Sequence, residues 1–325
     1  MERFLQRLVS FTEWYLSRRK RRIQKKKEAQ AKKHPVIDWL EAFLWAACMV
    51  LLINQYLVQA YQIPSGSMMD TLLINDRIFV NKIIFGPELL PGLGKLPGFT
   101  IPKRGDIIIF ENPSYISRGP LFDILQRVLY MLTLSFVDID KDEAGRPKAH
   151  FLIKRAVGMG GDRIRMREGN LEIQPPGEDR WYAEGEFQKL SHLHYPVKRL
   201  ILPDLYGKLR LAGIGIAHQD MRLPLDPTWI EAIQQVQQAE YLDGFAFDQV
   251  RTKTLYGMNP HVRRYGMRWR THEVGYYIPE GYILPLGDNR DNSRDGRYFG
   301  PIKVRKVLGQ AMIRYWPLHR LGPIH

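Results

Sequence analysis

The hydrophobic pattern of this chain changes character near residue 60. Before it, apolar residues gather in one block, Val36–Ile53, with the uninterrupted twelve-residue run Ala42–Ile53 at its centre. Extension to Ala60 reaches the roughly 20 residues that cross a bilayer core, at the expense of including Asn54, Gln55 and Gln59. The spacing predicts an apolar helix over 36–60, read as a membrane anchor, with a buried core helix as the alternative. Beyond residue 60 the runs are short, β-branched and bounded by Gly and Pro: Arg77–Phe85, Asp106–Phe110, Phe151–Val157 and Tyr282–Leu286. Arg163–Glu168 alternates and turns at Gly169-Asn170 into Leu171–Gln174, which predicts a meander, and Gly300–Trp316 reads as a closing pair of strands. One helix is signalled from Asp226, with Pro227 in its first turn, Thr228 and Glu231 as a capping box and apolar spacing over Trp229–Tyr241. A second, Leu121–Val137, is apolar on most of its surface, and residues 1–17 form a short amphipathic pattern. The predicted class is mainly antiparallel β with a few helices.

Charge sharpens the reading of the first block. The net charge is +14, and residues 1–35 hold twelve Lys and Arg against Glu2, Glu13 and Glu28, leaving only +5 for the rest. That distribution argues against a nucleic-acid surface. A basic run flanking an apolar helix instead orients a single anchor with its N-terminus in the cytoplasm. No small-x-small site follows the apolar run, and the charged leader is too long for a cleavable signal peptide. Cys48 is the only cysteine, so neither an intrachain disulfide nor a two-cysteine metal site can form. The nine histidines show no HExxH spacing, and neither GxxxxGK[ST] nor a strand-linked GxGxxG occurs. No metal, nucleotide or other cofactor is expected.

The chemistry is concentrated in three places. Eight of the eleven residues Gly287–Arg297 are charged or Asn, far more than a surface turn needs, so the loop is read as a lattice that holds something else in place. Pro64-Ser65-Gly66-Ser67-Met68 offers a serine in a tight turn, and Phe151–Val157 offers Lys154 inside an otherwise apolar strand. A serine hydroxyl is a poor nucleophile until a base removes its proton. Neither a GxSxG elbow nor an SxxK motif is present, since Met68 and Asp70 stand three residues after Ser65 and Ser67. Lys154 is the more natural base, because an apolar strand would desolvate its ammonium and lower its pKa from about 10.4. Taken singly, a strand lysine keeps its head in solvent and a turn serine only turns the chain. The residues make the pair possible without selecting it.

The combination is similar to a known family. Pro64–Met68, Arg104–Phe110, Lys154–Gly158 and Gly287–Arg297, in that order behind a basic leader and an apolar helix, resemble the motifs of bacterial type I signal (leader) peptidases. The resemblance implies an antiparallel β Ser/Lys protease fold behind a transmembrane helix. It implies Ser67 as nucleophile, Lys154 as general base, and Ser65 beside the Ser67 N–H at the oxyanion. Ser293 would aim the lysine, Asp295 would pair with Arg155 or a nearby arginine, and Asp288 and Arg290 would brace the loop. Met68 and Ile63 would line the substrate pocket. The expected organisation is a basic cytoplasmic tail 1–35, an anchor 36–60 and an extracytoplasmic catalytic domain 61–325, with core motifs in 61–112, 150–171 and 276–325 and insertions at 113–149 and 172–275. Expected partners are signal-peptide-bearing preproteins, cut after small-x-small, and membrane lipid, with no nucleic acid. The expected location is the bacterial plasma membrane, single-pass, N-terminus inside, with a monomer sufficient. Asp70, Gly160 and Gly296 stand where the family commonly has proline, proline and serine; Asp70, if it pointed inward, would raise the pKa of Lys154. Two rivals are a soluble Ser/Lys self-cleaving regulator, which would lack the anchor and the 287–297 loop, and a non-enzymatic anchored β scaffold.

Overall fold

The computed structural model describes residues 12–25, 34–89, 94–141, 145, 148 and 150–324. Two compact units are distinguished, Met1–Leu52 and Ile53–His325. Residues 12–25 are helical; the first eleven residues of the amphipathic pattern, and 26–33 of the basic tail, lie outside the described residues. Helix α1, Pro35–Tyr56, has 22 residues and a mean hydropathy of 2.0, so it is long and apolar enough to cross a membrane. At 1.5 Å per residue it spans about 33 Å, close to the hydrocarbon thickness of a bilayer. It ends at Tyr56 rather than Ala60 because Val58–Gln62 forms β1 and pairs with β2, Arg77–Asn81.

The expectation of antiparallel β holds for the frame. The main sheet runs β1-β2-β11-β3-β4-β9-β10, where β3 is Ile107–Glu111, β4 Phe151–Met159, β9 Tyr282–Leu286, β10 Ile302–Lys303 and β11 Val307–Trp316. Strand β12, Gly322–Pro323, pairs with β11. Register shifts within β11 and between β4 and β9 mark bulges, which add twist and curl the sheet. Curling buries Ile78, Val80, Ile109, Leu72 and Met68 in one core beneath β1 and β2. The predicted meander forms as β5, Arg163–Arg167, and β6, Asn170–Gln174, within a small sheet completed by β7, Tyr182–Ala183, and β8, Tyr276–Tyr277. The closing segment does not pair with itself: β10 pairs with β9, whereas β11 crosses β2 and β3.

Segment 172–275 is mostly helical, and only one of its helices was signalled in the sequence. It contains α3, Glu184–Leu190; α4, Pro203–Asp220; α5, Pro227–Gln237; α6, Gly244–Met258; and α7, Arg263–Val274. Helix α5 is capped by Asp226, whose carboxylate accepts from the Thr228 N–H, so the expected Thr228–Glu231 box is displaced by a better acceptor one turn position earlier. The other helix expected from the sequence, α2, covers Pro120–Leu132; it stops there because Leu134 and Ser135 adopt positive φ. Its face is split, with Gln126 and Met131 buried while Leu121, Ile124 and Leu125 are exposed.

The helical segment is tied to the loop 287–297 by a buried ion pair. Glu184, at the start of α3, receives two bonds from the Arg290 guanidinium, one at 2.7 Å, and both residues are buried. Removing one partner leaves a buried charge without compensation. Glu184→Ala is expected to lower unfolding stability by about 3–5 kcal/mol, read as a shift of the denaturation midpoint; a change below about 1 kcal/mol would contradict the assigned role.

Candidate active site

Ser67 sits on the short 3₁₀ turn Gly66–Met68 that follows β1. The turn is fixed from below by Ile63, which exchanges backbone hydrogen bonds with Asp76 and Asn75, and by Met68, which is buried in the core. Lys154 lies in β4, paired opposite Ile108 of β3. An aliphatic stem in a strand of buried neighbours delivers its amine into the interior, where it is only 3% exposed. Its Nζ lies 2.6 Å from Ser67 Oγ and donates to Ile153 O at 2.9 Å. Burial pulls the Lys154 pKa down to about 8; Asp295 and Asp288 partly offset that effect, and Arg297 adds to it.

A second buried lysine makes a useful contrast. Lys82 is also pulled down, to about 7, mainly by burial, but its amine reaches the carbonyl of Gln55 and no hydroxyl. Of the two lysines, only Lys154 combines a lowered pKa with a serine in hydrogen-bond range. Ser65 Oγ, exposed, is 3.4 Å from Ser67 Oγ.

The Gly287–Arg297 loop is the lattice its composition suggested. Asp288 binds Arg155 bidentately, at 2.8 Å from Nε and 2.7 Å from Nη2, and accepts from Thr71 Oγ1 at 2.6 Å. Asn289 donates its backbone N–H to Ser67 O and its side-chain amide to Gly66 O. The loop therefore grips the serine turn and the lysine strand at once. Asp295 pairs with Arg297 rather than Arg155, because Arg155 is already taken by Asp288; it also accepts from Gly287 N. Burial pushes the Asp295 carboxyl up, but Arg297, the Gly287 N–H and Ser293 more than offset this and hold it below its ordinary value.

One expectation needs correction. Ser293 is buried, yet its hydroxyl makes no hydrogen bond to Lys154; the amine is directed by Ser67 and Ile153 O, and Ser293 leans toward Asp295. Asp70 does not point inward: at φ 81° it is exposed and pairs with Lys198 at 2.8 Å, away from Lys154. Gly296 has Leu284 Cδ1 and Pro285 O each 2.8 Å from where a Cβ would sit, so a side chain has no room here. Thr71, Asn289, Glu184 and Arg297 were not assigned roles in the sequence. Arg297 and Asn289 lay in the loop already singled out, whereas Glu184, 106 residues distant, gave no local signal.

Beside Ser67 and Lys154 lies a cleft of about 430 Å³. One wall is Tyr61–Ser65 and the other His150–Lys154. Among the described residues β1 pairs only with β2, and β4 pairs with β9 only from Arg155 onward, so both walls present strand edges without a partner. Gln126 and Tyr130 of α2, together with Asp138, close the outer end. The arrangement can bind an extended peptide between two strand edges and place one carbonyl at Ser67. Among the described residues no group of His, Cys, Asp and Glu is placed to hold a metal ion.

Comparison with known proteins assigns the class. The model of the family described as signal peptidase, peptidase S26, matches residues 36–316. The chain therefore belongs to the peptidase S26 family of signal peptidases and is a serine peptidase. Signal peptidase I of Pseudomonas aeruginosa is 25% identical over 312 residues, covering 89% of this chain and 80% of its own length. Signal peptidase I of Aquifex aeolicus is 27% identical over 281 residues, covering 82% and 79%. Signal peptidase I of Buchnera aphidicola is 23% identical over 318 residues, covering 93% and 86%.

The close approach of loop and nucleophile turn yields a test of the geometry. A Cβ on Gly287 would stand 2.3 Å from Ser293 Oγ and 2.6 Å from Ser67 O. Gly287→Ala must push the loop off the serine turn, and it is expected to destabilise the domain by about 1–3 kcal/mol. A denaturant midpoint unchanged from the parent would refute that packing.

Proposed function

We propose that Ser67 and Lys154 are the nucleophile and general base of a signal-peptide-removing endopeptidase. The observation that carries this reading is a buried lysine, its pKa drawn toward neutrality, 2.6 Å from a serine hydroxyl. The neutral Lys154 amine takes the proton of Ser67 as Oγ attacks the scissile carbonyl. Charge developing on the carbonyl oxygen would be met by the Ser67 N–H and the Ser65 hydroxyl. The lysine ammonium then protonates the departing amine. In the second half it activates the water that hydrolyses the acyl-enzyme, regenerating both groups. Asp288 and Asn289 fix the two reacting segments, and a proton-transfer step needs that fixed separation.

Exported preproteins are the proposed substrates. Their cleavage region would add as a strand between the edges of β1 and β4, and the apolar surface of Ile63 and Met68 would admit small side chains while larger ones clash. The proposed topology places the basic N-terminal segment in the cytoplasm and residues beyond α1 outside, with one copy of the chain sufficient. The exposed apolar side of α2, with Phe136 beyond it, supports contact of the cleft region with the outer bilayer interface.

Ser67→Ala and Lys154→Ala are each expected to lower preprotein cleavage by at least about 10²–10⁴-fold with circular dichroism unchanged. Lys154→Arg should fail equally, because guanidinium stays protonated. Near-parental turnover in either alanine variant sinks the assignment. The pH dependence follows from the lowered lysine pKa. Below about 8 the amine is protonated and cannot accept the serine proton, so kcat/KM should rise about tenfold per pH unit and level off above about 8. The same shift makes the unfolded chain bind more protons than the folded one between about 8 and the free-lysine value. This group therefore adds stability as pH rises through that window. A rate profile without a rising limb between pH 6 and 8 would exclude Lys154 as the base.

A further inference from the structure

A second cavity, larger than the cleft at Ser67, is separate from it. It has a volume of about 1010 Å³ and lies between the loop 95–102 and the corner formed by Gly281-Tyr282 and Lys303–Arg305. One side is apolar: Leu96 and Phe85 line it, and Phe99 and Ile101 stand at its mouth, 86% and 69% exposed. The other side carries Lys95, Lys303 and Arg305, and no carboxylate lines the cavity. Among the described residues neither Lys303 nor Arg305 has an ion pair, and the Lys303 ammonium lies 5.9 Å from the Tyr282 ring. Glu280, the nearest acidic residue in sequence, turns its carboxylate to the Gly160-Gly161 turn instead.

Exposed aromatic and aliphatic side chains are unfavourable in water as a free surface, and beside Lys303 and Arg305 they match the two halves of an anionic amphiphile. The loop is also held in this shape. Phe99 and Thr100 both donate to Ile84 O, and Gly98 passes so close to Phe85 that a Cβ would sit 2.4 Å from its carbonyl carbon. Its location supplies the second argument. Gln55 and Tyr56, the last residues of the apolar helix, donate to the carbonyls of Glu88 and Leu89, and Glu88 is bridged to Lys95. Lys95 of the cavity is thus bridged to the residue that accepts from Gln55 in the last turn of the apolar helix.

We propose that this cavity binds one anionic phospholipid of the surrounding membrane, with the headgroup phosphate between Lys303 and Arg305, the Lys95 ammonium behind them held on the Val307 carbonyl, and the acyl chains against Phe99 and Ile101. The inference rests on α1 as a membrane helix and is independent of the Ser67–Lys154 chemistry, so the full-length Ser67→Ala protein can serve for the test.

The test is native mass spectrometry of the full chain in non-ionic detergent, titrated with phosphatidylglycerol, with phosphatidylcholine of the same chains, or with glycerol 3-phosphate. One phosphatidylglycerol should be retained at concentrations at least about tenfold below those for phosphatidylcholine. The exposed double change Lys303→Ala with Arg305→Ala should weaken phosphatidylglycerol retention about thirtyfold, as expected for two cations at about 1 kcal/mol each near an anionic headgroup. Retention should return with Lys303→Arg and Arg305→Lys, and Phe99→Asp should weaken both lipids. Equal retention of the two lipids, or a double variant indistinguishable from its parent, overturns the proposal. Displacement of phosphatidylglycerol by an equal concentration of glycerol 3-phosphate would also overturn it, by showing a phosphate site to which acyl chains contribute nothing.

Discussion

The approach of Ser67 to Lys154 depends on the buried Asp288 carboxylate. It binds Arg155 of β4 bidentately and Thr71 of the turn region after Ser67, so three stretches far apart in sequence are pinned at one point. Arg155 immediately follows Lys154, and its guanidinium is itself buried, leaving the strand little freedom to rotate or slide. A buried ion pair is no guarantee of stability, because desolvation offsets much of the attraction. What it does impose is geometry: moving either strand or loop leaves two buried charges unpaired. The 2.6 Å approach of Lys154 to Ser67 follows from that constraint, since neither side chain holds the other strongly enough alone.

The electrostatics around Lys154 show a balance rather than simple desolvation. Burial by the apolar strands lowers its pKa, while Asp295 and Asp288 pull the other way. Those two carboxylates are already engaged by Arg297 and Arg155 respectively, which limits how far they can favour the ammonium. Had Asp70 pointed inward it would have added a third negative charge; its left-handed backbone and its partner Lys198 keep it outside. Lys82, lowered mainly by burial and further by the nearby Arg127 and Lys95, shows a lowered pKa with no nucleophile beside it. A reactive dyad needs both burial and a rigid partner.

The frame was legible in the sequence because strands signal locally. Runs such as Asp106–Phe110 and Phe151–Val157 are β-branched and punctuated, and they appear as β3 and β4 within a residue or two. The loop 287–297 was legible because so dense a set of charges is costly unless each is paired. Pairing itself was not legible, since it depends on which elements meet. Asp295 took Arg297 because Arg155 was occupied, and the Ser293 hydroxyl makes no bond to the lysine. The helices of 172–275 were mostly missed for a different reason. Helix α7 is arginine-rich with few apolar positions, and α4 carries Gly207, Gly213 and Gly215, which depress helix propensity.

Those glycines also explain how the helical segment packs, and hence why it matters for the site. A Cβ on Gly215 would stand 2.8 Å from Trp229 Cβ, and one on Gly213 3.0 Å from Val250, so α4 lets α5 and α6 approach closely on two sides. The resulting cluster around Leu209, Ala212, Ala232 and Val236 is a core of its own. From that base the strand-like stretch 198–201 reaches the catalytic loop. Lys198 exchanges backbone bonds with Asp288 and Arg290, and the N–H groups of Leu200 and Ile201 both donate to Asp291. With Glu184 on Arg290, the loop is held on its far side by the helical segment as firmly as Asp288 holds it on the near side. A segment without a recognisable motif therefore completes the clamp on the reacting residues.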